Sequence, residues 1–493
     1  MSKNLKQKNM RQKLINKTEP QQPIVETNSF AKGAAVAVAE DSTSLQSIIF
    51  DSSISKEEWI KSLKYHSQMV TNLLLNNETE KFNQYLSLQF NGKIDSSAKS
   101  KLENINYIPI LQDFLQTAIL IEHSTIPPYL TALYSIKDGT NLLASQIIRS
   151  VAVEEMLHMI MVCNVMNAVN IQPSVNQKQN YPMYPMKLPM NVDFFVGLEK
   201  FSTNSIATFI AIESPSNPMV KAPEFHLELE NAVMQTRKMI QENNFWNLDD
   251  MKDFMMKNVH TIGEYYDLVF FYIVIFQIIE YYKVNSTLPQ TFEELNKGGI
   301  FTGDPAKQIR PEQYYGSGGK LHFVEALSGV IEVFQEIKGQ GEGVDDSVFT
   351  VDASQFEEGA ELAHYFRFKE VFHEHFYAGG DYTPFAEDGM MPVTTPPVGK
   401  ELPVDWNAAY PMKTNPKIEE YKSNPQLYAQ GQAFNATYKK LLDAIQAAVE
   451  GHSEELEKSI MYMYALKEQA VELMKQPLTA QENAGPTFEF PLN

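Results

Sequence analysis

VAVEEMLHMIMV (residues 151–162) sets a carboxylate, Glu155, and an imidazole, His158, one helical turn apart. Residues three apart stack on one face of a helix, and that face also carries Ile148, Val151, Met159 and Val162. An apolar stripe faces a core. A carboxylate taken there costs free energy unless it is hydrogen-bonded, ion-paired or bound to a metal. The Glu-x-x-His spacing recurs at Glu361 and His364 in ELAHYF. A lone glutamate on an apolar segment precedes each pair: Glu122 in ILIEHSTI and Glu264 in TIGEYYDLV. The order Glu, Glu-x-x-His, Glu, Glu-x-x-His is that of a dinuclear carboxylate site inside a four-helix bundle. The expected metal ligands are Glu122, Glu155, His158, Glu264, Glu361 and His364.

A single Glu-x-x-His also arises by chance on solvated helices, and the chain holds another, Glu370 and His373 in EVFH. It lies nine residues beyond Glu361 and His364, and nine steps of about 100° leave a half-turn. The two pairs thus face opposite sides of one helix, and the second is read as solvated. Glu154, four residues before His158, is read as a neighbour of the site or an ion-pair partner. Tyr265, Tyr266 and Tyr365 adjoin ligands and are candidates to donate a hydrogen bond or relay an electron; a core filler with a satisfied hydroxyl is the plainer reading. His123 points about 100° away from Glu122 and is read as structural. The competing account neutralises the four carboxylates with Arg149 and Arg367. Two arginines cannot balance four carboxylates, whereas two divalent ions can. Oxygen-rich ligation with two imidazoles suits iron or manganese, and iron is preferred.

The 493 residues carry 41 basic and 61 acidic side chains, a formal charge of −20 that disfavours nucleic-acid or anionic-membrane partners. A 43% hydrophobic content supports a large core. One cysteine, Cys163, excludes an internal disulfide and suits a reducing, cytoplasmic setting. No stretch reaches the roughly 18 apolar residues of a membrane-spanning helix; residues 268–279, LVFFYIVIFQII, come nearest and read as a buried core helix. A small-molecule substrate is the expected partner, and self-association into a homo-oligomer is compatible with the pattern.

Along the chain, residues 1–44 read as a mobile leader and 45–103 as a helical extension broken at Asn76 and Asn77. Residues 104–376 read as the bundle carrying the metal site. Its core helices are expected at about 109–126 (stopped or kinked by Pro127 and Pro128), 143–169, 255–283 and 353–375, with a further helix at 321–338. Residues 196–212 are ambiguous between strand and helix. Residues 377–493 read as a loop cover and a helical hairpin turning at Gly451, with Ser453 as N-cap. Long Pro/Gly/aromatic loops at 181–194 and 377–410 are expected to cover the bundle and shape a pocket.

LQTAILIEHSTIPPYLTALYSI, SVAVEEMLHMIMVCNVMNAV, TIGEYYDLV, PEQYYGSGGK, QGEG, ELAHYFRFKE and GGDYTPFAEDGMMPV together resemble the ferritin-like domain found in iminophenyl-pyruvate dimer synthases. Those enzymes dimerise a tryptophan-derived imine in violacein and indolocarbazole pathways. The resemblance runs over residues 104–474 and implies a mainly α, ferritin-like four-helix bundle with additional helices. It also implies that the six ligands hold two iron ions, Glu155 and Glu361 bridging, Glu122 and Glu264 terminal, with dioxygen or peroxide as co-substrate. Pathway members are considerably longer, so the implied activity is oxidation of a small, amino-acid-derived substrate rather than imine coupling itself. The alternatives are dimanganese catalase-like disproportionation of peroxide and iron binding without turnover.

Overall fold

Apolar residues recur every three to four positions along most of the chain, and the protein is accordingly helical. The structure, a computed structural model, describes residues 65–89 (except 68, 72 and 76), 106–215, 257–314, 318–341, 362–377 and 396–491. Among them there is no strand, only isolated bridges such as Met186 to Val196. The expected mainly α bundle therefore holds.

Helix α1 (Thr79–Gln89) follows Asn77, whose φ of 58° ends the preceding helical turns. Helices α2 (Ile108–Ser135) and α3 (Leu142–Ala168) form a hairpin through Asn141, also left-handed, and pack along most of their length. The segment ambiguous in sequence becomes α4 (Thr203–Ile212), because Ser202 and Ser205 close a reciprocal capping box at its start. Helix α5 (Ile262–Asn285) is buried on every side from Tyr265 to Ile279. It lies against α2 and α6 (Leu327–Gly341). Its one interior amide, Gln277, is satisfied by the Leu295 carbonyl and the Ile300 N–H. Helix α7 (His364–His373) packs on α4, α3 and α6. Finally α8 (Pro425–Val449) and α9 (Leu456–Met474) fold back on each other through Gly451, at φ +112°, and lie on α3 and α2 respectively.

Several expectations are corrected. Pro127 and Pro128 neither stop nor end α2, which runs on to Ser135. A proline at 128 has no N–H for the Ser124 carbonyl four residues back. The Tyr184 hydroxyl donates to that carbonyl instead, at 2.9 Å, so a packed side chain supplies the missing donor. Helix α7 begins at His364, after an extended Ala363 (φ −60°, ψ 159°). Ser453 caps nothing; its hydroxyl accepts from Gln313 Nε2 at 2.6 Å. Glu370 is buried, not solvated, and accepts from the Tyr377 N–H. Two helices, Leu142–Ala168 and Ile262–Asn285, are long and apolar enough by composition to cross a membrane, contrary to the sequence reading. Within the fold 89% of each apolar window is buried, as in the core helices of a bundle. The expected leader lies outside the described residues.

The Tyr184 hydroxyl carries a measurable share of stability. Tyr184→Phe leaves a buried carbonyl unsatisfied and is expected to cost about 1–3 kcal/mol in chemical denaturation. In a Pro128→Ala background, where an N–H at 128 can serve Ser124, the same change is expected to cost distinctly less.

Candidate metal centre

Four helices deliver the polar groups of the core. Glu122 comes from the middle of α2, Glu155 and His158 from one face of α3, Glu213 from the C-terminal end of α4, and His364 from the first position of α7. Each is at most 5% exposed. They form two groups whose ligand atoms lie within 4.8 Å of one another: Glu122, Glu155 and His158 in one, Glu155, Glu213 and His364 in the other. Glu155 belongs to both, the place a bridging carboxylate takes.

The two halves repeat one plan. His158 Nε2 bonds Gln340 Oε1 at 2.7 Å. That leaves its Nδ1 facing Glu122 and Glu155 at 3.4 and 3.7 Å. His364 Nε2 bonds Glu154 Oε2 at 2.8 Å. Its Nδ1 faces Glu155 and Glu213 at 2.8 and 3.5 Å but makes no hydrogen bond of normal geometry. An outer partner on one ring nitrogen fixes the tautomer and aims the other nitrogen's lone pair. The rings lie parallel within 21°, their centroids 5.6 Å apart. Each outer carboxylate receives a buried phenol: Tyr266 donates to Glu122, and Tyr129 to Glu213 Oε1 at 2.5 Å. Thr125 donates to Glu155 Oε2 at 2.9 Å.

Burial and mutual charge shift the protonation of these groups. Burial, then the charge of Glu213, pushes Glu155 up to about 8. Burial alone would lower His364; the surrounding carboxylates of Glu154, Glu155 and Glu213 outweigh it and hold the imidazole well above its ordinary range. His158 is raised against the same burial by Glu122 and Glu155. Without a cation the cluster holds protons that a divalent ion would displace. Glu154 goes the other way: burial disfavours its charge, but Arg367 and His364 hold its carboxyl far below the usual range. The inward lone pairs, the shared carboxylate and the orphaned His364 Nδ1 fit a pair of divalent metal ions.

Of the six ligands expected from sequence, Glu122, Glu155, His158 and His364 come together here. Glu264 does not join them. It is the third residue of α5, its carboxylate accepting from the His260 N–H at 2.8 Å while Thr261 caps its own N–H. TIGE is a capping box in sequence, T-x-x-E, and that signal was legible. Glu361 lies outside the described residues. Glu213 was missed: it ends the apolar run FIAIE, the same signal as Glu122, but the strand–helix ambiguity of its segment hid it. Arg149 is exposed, leaving Arg367 as the arginine of this core. Tyr265 donates to the Phe114 carbonyl, and Tyr365 sits beneath the Lys369 ammonium, so of the three tyrosines singled out in sequence it is Tyr266 that touches the site. A small cleft lined by Ile212, Glu213, Ile262, Tyr266 and Ile337, with Lys338 at its side, lies beside the cluster.

Paired Glu/His groups buried between helices define a ferritin-like protein with a candidate dinuclear metal site. A sequence model described as ferritin-like matches residues 115–373, over half of the chain, and the protein belongs to that family. Among solved structures, a ferritin-like protein from Caulobacter vibrioides is 19% identical, with a TM-score of 0.44, over 77% of this chain and 98% of the other. No curated protein matches the chain.

Metal analysis of the reconstituted protein tests the assignment. The wild type is expected to hold two divalent ions per chain, Glu155→Gln fewer than one, and Glu264→Gln still two. At a thousandfold excess of metal over its dissociation constant, binding adds about 4 kcal/mol to stability, so chelation is expected to lower the unfolding temperature of the wild type but not of Glu155→Gln.

Proposed function

We propose that this protein is a dinuclear-metal oxidoreductase, loaded with iron, that uses dioxygen or peroxide to oxidise a small organic substrate in the cytoplasm. The observation that carries the reading is the sharing of Glu155 between two ligand groups, each completed by one further carboxylate and one inward imidazole Nδ1. Two iron ions bound there would supply the one-electron chemistry that dioxygen or peroxide needs.

The chain's own residues supply the rest. Tyr266 and Tyr129 keep their protons at neutral pH, because burial and then the adjacent carboxylates push both phenols well above their ordinary range. Each therefore acts as a fixed donor that orients one outer carboxylate. Ile212, Ile262 and Ile337 wall a small cleft beside Glu213 and Tyr266, and apolar walls there would limit bulk water next to the cluster. The sequence resemblance to iminophenyl-pyruvate dimer synthases supports an amino-acid-derived substrate and a place in secondary metabolism.

Anaerobic loading with ferrous iron followed by a pulse of dioxygen is the direct test. The wild type is expected to consume dioxygen in proportion to bound iron, read by an oxygen electrode and by ferric absorption. Consumption no greater than that of Glu155→Ala would overturn the proposal. Metal content of protein purified without added metal separates iron from manganese.

A further inference from the structure

The two halves of the centre share a plan but not their outer partners. His158 is backed by Gln340, a neutral amide. His364 is backed by Glu154, a buried carboxylate that Arg367 grips with both terminal nitrogens while also bonding Ser150 at 3.0 Å. A carboxylate behind a metal-binding imidazole strengthens it as a donor more than an amide does. Glu154 Oε2 accepts from Arg367 and bonds His364 Nε2 directly, so the carboxylate stands immediately behind the imidazole. Glu213, at the cleft, also belongs to the His364 half.

Resting on the dinuclear reading above, we infer that the two metal positions are unequal, and that the position formed by Glu155, Glu213 and His364 fills first and holds its ion more tightly. Glu154 and Arg367 are then positioning residues for that ion, and Gln340 is what keeps the second position weaker.

The metal-free, full-length protein is titrated anaerobically with cobalt(II), followed by visible absorption, with a competing chelator to fix each dissociation constant. The wild type is expected to bind two ions in two steps at least tenfold apart. Glu213→Gln is expected to remove the tighter step and Glu122→Gln the weaker. Glu154→Gln is expected to weaken the tighter step roughly ten- to a hundredfold and leave the other unmoved. Gln340→Glu gives His158 a carboxylate partner and is expected to tighten the weaker step until the two merge; it keeps the test informative if Glu154→Gln folds poorly beside an unpaired arginine. Equal affinities in the wild type, a tighter step that Glu122→Gln removes, or Gln340→Glu leaving the weaker step unchanged would each overturn the inference. A wild type that binds no cobalt would overturn the dinuclear reading itself.

Discussion

Carboxylates packed into the centre of a helical protein are the constraint to which the rest of this structure answers. Burying one such group without a partner costs several kcal/mol, and Glu122, Glu154, Glu155 and Glu213 are all within the core. Glu154 is settled by Arg367. The other three share two imidazoles, two phenols and a threonine, which orient them. Together they form two adjoining groups that could hold metal ions.

The outer groups explain how such a site is kept in shape. Gln340 comes from α6, Tyr266 from α5, Tyr129 from α2 and Arg367 from α7. Four of the helices around the centre, α2, α5, α6 and α7, thus contribute a group that holds a ligand or a ligand's partner. This division lets the inner atoms remain open to a metal while their directions are fixed by contacts one layer away.

Much of this was legible in the sequence. The apolar stripe around Glu155 and His158 reported both the helix and its buried face, and the lone Glu122 reported the opposing one. What failed did so for local reasons. Glu264 was taken for a ligand when its place three residues after Thr261 made it a cap. Glu213 and Gln340 act through contacts between helices far apart in the chain, and nothing in a one-dimensional pattern pairs residue 158 with residue 340. Pro128 in α2 misled because its penalty was met by Tyr184, a tertiary donor that local rules do not see.

The adjacency of Glu154 and Glu155 carries one more consequence. Neighbours on a helix diverge by about 100° around its axis, and here the two directions lead to different surroundings. One carboxylate meets an arginine, and the next lies at the junction of the two ligand groups. A rotation of α3 by a single position would turn the arginine-held anion toward the cluster and strand its neighbour. The rotational setting of α3 is thus locked by two oppositely employed charges. Inserting one residue between Asn141 and Glu154 would carry Glu154 into the berth of Glu155 and leave Arg367 facing a valine, without altering a single side chain.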